Sequence, residues 1–264
     1  MSSFNVLGAS HTPPGGKRAS GSTRIVWVDR LLARHHVQVA GFQEMQASQA
    51  TKFLAINRGT WNLYPGVQGK KLDSDNSVGW SKAKFRFVSG TLIRIPYFDG
   101  HTRNMPVVLL RDKTSGMLTY FANFHNPADT QHYRNQQKWR RAATRVEIRL
   151  ENRLALTGIP RILTGDMNER GAYFCRVTAG APLKAARAAS YRSGGRCYPH
   201  RPRAVDWVLG SVRTTFTNYF EDRSHLVDIT TDHPVITSDV SVDPADLPNG
   251  WGSRPAPLVF RSGY

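Results

Sequence analysis

Residues 162–169 read Ile-Leu-Thr-Gly-Asp-Met-Asn-Glu, and this stretch sets the fold. Residues 162–164 form a short apolar run of strand character that stops at Gly165, and Asp166 and Asn168 follow at once. A carboxylate and an amide thus stand where an apolar strand stops, a place for catalytically useful side chains.

The same punctuation recurs along the chain. Residues 4–7 make a first strand containing Asn5, and residues 37–42 make a second that ends at Gln43 and Glu44. Residues 78–81, 85–95, 107–110 and 118–124 read as a meander leading to His125, with a polar loop over 99–104. Residues 204–209 carry Asp206, and Asp232 with His233 stand just before a closing strand at 235–240. Chemistry-bearing side chains therefore gather wherever apolar strands stop.

Helical patterns are fewer. Ser22 or Thr23 is positioned to cap a helix whose Ile25, Val28 and Leu32 form one apolar stripe, leaving Arg24, Arg30 and Arg34 on the exposed side. Residues 47–58 read as a second helix. The longest is expected over 130–157, where Trp139, Ala143, Val146, Leu150 and Leu154 recur at helical spacing opposite Arg141, Arg145, Arg149 and Arg153. Strands outnumber helices, which points to a layered α/β fold and excludes a bundle. No boundary interrupts residues 1–240, so one domain is expected there, followed by a Pro/Gly-rich tail over 241–264.

Composition narrows the partners. The 36 Lys and Arg against 19 Asp and Glu leave a net charge of +17 over 264 residues. Such a field draws polyanions: nucleic acid, anionic headgroups or wall polymers. Solubility alone is usually reached with less charge. No run of 18 apolar residues occurs, which excludes a membrane-spanning helix. Met1 directly precedes the first strand and leaves no room for a secretory leader, so a leader is either removed or was never present. Cys175 and Cys197 stand 22 residues apart in a stretch that reads as irregular, and they are either a disulfide staple or two unrelated thiols.

Hydrolysing a phosphodiester needs a hard cation, a base for water and donors for the phosphoryl oxygens. The segments FNVLG (4–8), GFQEM (41–45), NFHNP (123–127), TGDMNE (164–169), AVDWVLG (204–210) and TDHPVI (231–236), with TRNMPVV (102–108), offer that set. In order and spacing they resemble the motifs of the deoxyribonuclease-I-like endonuclease/exonuclease/phosphatase family, over about residues 3–240.

The resemblance implies a four-layer α/β sandwich of two facing mixed β-sheets flanked by helices. It implies a Mg²⁺ site (Mn²⁺ or Ca²⁺ as substitutes) with Glu44, Asn5 and Asp232 as metal ligands. Asp166 would activate or position the attacking water, as base or as metal ligand, with Asn168 orienting that water or the phosphate. His233, held by Asp206, would stabilise the pentacoordinate phosphorus or protonate the leaving oxygen. His125 and Arg103 would contact the scissile phosphate.

Leu7 stands where some members carry an acidic residue, which counts against a second metal. Asp73 and Asp75 are the nearby carboxylates for orienting His125. Cys175 and Cys197 fall where secreted members carry a structural disulfide, so a bridge and an oxidising, extracellular setting are expected. The expected function is a monomeric nuclease cutting DNA or RNA. Two alternatives remain: a phospholipid or sugar-phosphate phosphoesterase, for which Tyr97 and Phe98 beside Pro96 are the only apolar loop available to a bilayer, and an inactive polyanion-binding or structural module.

Overall fold

The computed structural model describes residues 1–13, 15–187, 191–193, 196–198 and 205–242. Most of the expected tail, from residue 243 onward, lies outside them. The chain runs β1 (Ser2–Asn5), α1 (Gly21–Arg34), β2 (Val39–Gln43), α2 (Ala47–Ile56), β3 (Trp61–Tyr64), β4 (Ser77–Ser81), β5 (Phe85–Pro96), β6 (Thr102–Asp112) and β7 (Leu118–His125). It continues through α3 (Gln137–Ala155), β8 (Arg161–Asp166), α4 (Gly171–Gly180), β9 (Leu183–Ala185), β10 (Tyr191–Ser193), β11 (Arg196–Tyr198), β12 (Asp206–Ser211), β13 (Thr215–Asp222), α5 (His225–Thr230) and β14 (Val235–Ser241).

Two six-stranded mixed sheets result, ordered β13-β14-β1-β2-β4-β3 and β5-β6-β7-β8-β12-β9, with β10 and β11 as a separate hairpin. The first sheet packs against α1, α2 and α5 through Phe4, Ile25, Val28, Phe42, Phe53 and Val227. The second packs against α3 and α4 through Phe124, Leu150, Leu163, Phe174 and Trp207. Each fully buried Phe of these layers stabilises by roughly 2 kcal/mol through removal of apolar surface from water. The sheets face each other across Val78, Trp80, Val108, Leu110, Phe121 and Ile162. This is the four-layer sandwich.

Near one end the contact between sheets turns polar, and there the sheets are bolted together. Asn123 Nδ2 donates to the carbonyls of Phe42 (2.8 Å) and Ser77 (3.2 Å), while its Oδ1 accepts from Gln43 Nε2 at 2.6 Å. A Cβ at Gly41 would lie 1.9 Å from Thr164 Oγ1. Only glycine lets the sheets approach so closely here. The parallel pairs β1–β2 and β7–β8 end side by side at this place.

Several local expectations change. Ser20, not Ser22 or Thr23, caps α1 by accepting from Thr23 N. Arg24 is wholly buried rather than exposed, whereas Arg141, Arg145, Arg149 and Arg153 are exposed as expected. Helix α3 starts at Gln137, because Asn135 takes a left-handed conformation (φ 58°) and residues 126–136 form a hydrogen-bonded loop. The stretch around the cysteines is built from α4, β9 and the hairpin, and a disulfide joins Cys175 on α4 to Cys197 on β11, with Cα atoms 5.6 Å apart. Closing that loop stabilises by about 3 kcal/mol in the loop-entropy model. Tyr97 is only 5% exposed, which withdraws it from any bilayer contact. Among the described residues no helix is long and apolar enough to cross a membrane.

Candidate active site

The first sheet brings Asn5 and Glu44 to the polar end. Strand β1 stops because Asn5 Oδ1 accepts from Leu7 N at 3.0 Å, turning the chain, and Leu7 takes φ 56°. Strand β2 also ends at a left-handed residue, Glu44 at φ 59°. Left-handed Leu and Glu cost about 1 kcal/mol or more each, and such strain persists only where surrounding bonds over-determine it. Those bonds are present. Glu44 Oε2 accepts from Gly8 N at 2.9 Å and Oε1 from Asn5 Nδ2 at 3.0 Å, and Gln49 Nε2 donates to the Leu7 carbonyl at 3.0 Å.

Beneath this turn lies Arg24. Its guanidinium donates to the carbonyls of Val6 (2.5 Å), Ala19 (3.0 Å), Thr230 (3.1 Å) and Gly8 (3.4 Å), and to Thr12 Oγ1 (3.1 Å). One buried cation thus ties together the β1 exit, the approach to α1 and the end of α5.

The second sheet supplies three side chains in a row across adjacent strands. His125 pairs with Asp166 in the β7–β8 register, and Asp166 with Asp206 in the β8–β12 register. Residues opposed in register point to one face, so the row faces the cleft. Asp166 Oδ2 accepts from Asn5 Nδ2 at 3.1 Å and lies 3.6 Å from His125 Nε2 and 3.5 Å from His233 Nε2. Its Oδ1 accepts from Asn168 N at 2.9 Å, an Asx turn that suits the left-handed Asn168 (φ 47°). The Asn168 amide donates to the Asn126 carbonyl at 2.9 Å, and the Asn126 side chain donates to buried Glu147 at 2.9 Å.

His233 arrives from the loop before β14. Its Nδ1 lies 3.0 and 3.1 Å from the two oxygens of buried Asp206 and so donates to that carboxylate. Burial by itself lowers the imidazole pKa, but Asp206 on one nitrogen and Asp166 facing the other outweigh it, and His233 is held well above the ordinary imidazole range. Burial acts against Glu44 ionisation too, and is outweighed by His125, Asn5, the Gly8 N–H and His11, leaving its pKa lowered. His11 is an addition to the expected residues: exposed on the loop after β1, its Nε2 lies 3.7 Å from Glu44 Oε2. Nothing in its Pro/Gly-rich surroundings distinguishes it in sequence.

Arg103 stands further out on β6. Its guanidinium lies over the Tyr97 ring at 4.8 Å and pairs with Asp75 (3.3 Å) and, more loosely, Asp73 (4.0 Å). Those two aspartates therefore hold Arg103, and the carboxylate facing His125 is Asp166. Asp232 is exposed and lines a cavity with His11, Lys17 and Arg18, rather than joining the Glu44–Asn5–Asp166 cluster.

The donor chemistry fits a hard divalent cation, which takes oxygen ligands and needs only one or two carboxylates. Glu44 and Asp166, from different sheets, converge on the single amide of Asn5. A second group, Asp166, Asp206 and His233, offers ligand atoms within 4.8 Å of one another. It is the weaker candidate, because a histidine ligates as the neutral ring, whereas Asp206 and Asp166 hold His233 protonated.

Solved structures share this architecture. An endonuclease/exonuclease/phosphatase from Bacteroides vulgatus superposes with TM-score 0.71 at 14% identity, covering 92% of this chain and 98% of that one. The mannosyl-6-phosphatase Bt3783 of Bacteroides thetaiotaomicron gives 0.68 at 13%, covering 91% and 98%. D. rerio TDP2 complexed with single strand DNA product gives 0.65 at 17%, covering 91% and 98%. No curated protein sequence matches the chain. The sequence profile of the Endonuclease/Exonuclease/phosphatase family matches residues 2–239, and the chain belongs to that family of phosphoesterases.

Proposed function

We propose that the chain is a Mg²⁺-dependent phosphodiesterase whose substrate is nucleic acid. The observation that carries the reading is the convergence of Asn5, His125 and His233 on one oxygen of Asp166, with Glu44 beside Asn5 and Asp206 behind His233. Glu44 and Asn5 would hold the cation, with Mn²⁺ or Ca²⁺ as substitutes and Asp232 at the rim. When bound, the cation supplies neutralisation of the phosphoryl oxygens.

The protein's own side chains do the rest. Asp166 takes the proton of the attacking water, and Asn168, fixed by Asn126, orients that water or the phosphate. His233, kept protonated by its two carboxylates, stabilises the phosphoryl oxygens and passes its proton to the leaving oxygen. His125 and Arg103 contact the scissile phosphate. Proton balance closes: one proton enters at Asp166 and one leaves from His233.

Charge selects the substrate. A net +17 favours a polyanion over a lone sugar phosphate, and affinity for nucleic acid falls steeply with salt. The same fold accommodates a single-strand DNA product in D. rerio TDP2. Burial of Tyr97 removes half of the Tyr97–Phe98 loop that a lipid enzyme would press into a bilayer. The disulfide supports an oxidising, extracellular setting, where the chain acts as a monomer.

The deciding experiment incubates the protein with supercoiled plasmid, RNA, sphingomyelin vesicles and mannose 6-phosphate in Mg²⁺, then repeats it in EDTA. Expected are plasmid nicking, its abolition by EDTA, and a loss of roughly 100-fold or more in Asp166→Ala. Undiminished cleavage by that variant removes Asp166 from the chemistry. Turnover of the lipid or sugar phosphate alone replaces nucleic acid with the corresponding phosphoester.

A further inference from the structure

One row of rings leads away from the catalytic cluster. The Tyr97 ring meets His125 edge-on at 5.9 Å, Phe98 lies 4.4 Å from Tyr97, and Tyr133 stacks on Phe98 at 4.3 Å with planes 3° apart. The row climbs from the cleft to the surface, since Tyr97 is 5% exposed and Tyr133 is 37% exposed. One face of Tyr133 is covered by Phe98, and among the described residues no second ring covers the other.

The two loops that carry this pair are fixed without the Tyr133 ring. Asp99 N donates to Gln136 Oε1 at 3.0 Å while Gln136 Nε2 returns a bond to Asp99 Oδ1 at 2.8 Å. Gln136 N donates to Asp129 Oδ1, and Arg140 holds the other oxygen of Asp129, both at 2.7 Å. Thr130 and Tyr133 exchange two bonds, from Thr130 N to the Tyr133 carbonyl (2.8 Å) and from Tyr133 N to Thr130 Oγ1 (3.0 Å). The ring is therefore presented in a set orientation and is not required as glue. Exposed His132 and Arg134 flank it, and Arg103 lies over the Tyr97 end of the row.

We propose that Tyr133, backed by Phe98, is a stacking platform for a nucleobase of single-stranded nucleic acid, at the outer end of the ring row that starts at His125. An unstacked base offers a free π-face to an aromatic ring, whereas a duplex hides its base faces in its own stack. The proposal rests on nucleic acid being the substrate and adds which form of it enters.

The test measures binding of a fluorescein-labelled oligothymidylate by anisotropy in EDTA, where turnover is stopped. Two comparison ligands are used: a strand of the same length made of abasic residues, and a blunt duplex. Tyr133→Ala is expected to weaken oligothymidylate binding roughly 5- to 100-fold, the range of one lost base–aromatic stack. Tyr133→Phe and Tyr133→Trp retain it, and the abasic strand binds all variants alike. Undiminished affinity in Tyr133→Ala overturns the platform, as does an equal loss for the abasic strand or the duplex. A parent protein that fails to bind oligothymidylate overturns it as well, even if plasmid is nicked. Tight, Tyr133-dependent binding with no cleavage in Mg²⁺ supports the platform and sinks the nuclease reading instead.

Discussion

On the first sheet, Asn5 and Glu44 stand beside main-chain turns with a residue in the left-handed region, Leu7 and Glu44, and the Val6 and Gly8 carbonyls of the turn after β1 close on a single buried guanidinium, Arg24. On the second sheet, His125, Asp166 and Asp206 sit in regular strand register and are held by side chains: Asn168, Asn126, Glu147 and, across the cleft, His233. One half stores strain and restrains it with a buried charge. The other needs no strain, because register alone aligns its row. Each half is therefore vulnerable in its own way: in the first the turn after β1 fails when its cation goes, and the second fails one bond at a time.

The sharpest way to break this contrast is Arg24→Met. It keeps the apolar stem and leaves the Val6, Thr230 and Gly8 carbonyls as buried acceptors without their Arg24 donor. A loss of about 3 kcal/mol or more in urea-unfolding free energy is expected, with Arg24→Lys recovering part of it through its three donors. A midpoint unchanged by Arg24→Met means that the turns hold themselves, and the contrast between the sheets disappears.

Asp206→Asn probes the second half with its geometry kept, since an amide oxygen still accepts from His233 Nδ1. Burial lowers the His233 pKa, and the facing carboxylates Asp206 and Asp166 more than reverse it. Neutralising Asp206 therefore lowers the pKa, and the protonated ring is lost at less alkaline pH. The alkaline limb of the pH–rate profile should move to lower pH, with activity at pH 8 down roughly ten- to a hundred-fold. An alkaline limb that stays in place separates His233 from the proton delivered to the leaving oxygen.

The two halves were unequally legible in the sequence. Asn5, Glu44, His125, Asp166 and Asp206 stand out because each interrupts or terminates an apolar run, and strand register then carries them to one edge. Arg24 lies four residues before Val28 and seven before Leu31, so the helical spacing that buries it was present. A lone guanidinium at the head of such a stripe reads as solvated until the carbonyls of Val6 and Thr230, 18 and 206 residues away, are brought to it. The start of α3 was misplaced because the Thr130–Tyr133 turn is polar and carries no breaker beyond Asn135. Strands β9 to β11 and helix α5 are three to six residues long, too short for periodicity to declare them. Asp73 and Asp75 are the nearby candidates for orienting His125, and sequence proximity to the meander does not say which strand face they meet; in the fold they meet Arg103.

The smallest effect comes from the support of the second half, at Glu147. This carboxyl is fully buried on α3 and accepts from Asn126 Nδ2 (2.9 Å) and Tyr173 Oη (2.8 Å), neither of them charged. Burial, only partly offset by those donors and by Arg176, pushes it up from 4.5 to about 7. A carboxyl raised on folding contributes stability that is complete below its unfolded pKa and is lost as pH rises through the folded one. Stability should therefore decline between about pH 4.5 and pH 7, and Glu147→Gln should shrink that decline by roughly 1–2 kcal/mol in urea titrations at the two ends. The slope is reduced rather than erased, since burial also raises Glu151, beside Arg161, to about 7. An identical slope in Glu147→Gln would mean that Glu147 gives up its proton as easily folded as unfolded, and that the second sheet, like the first, rests its cleft on a buried charge.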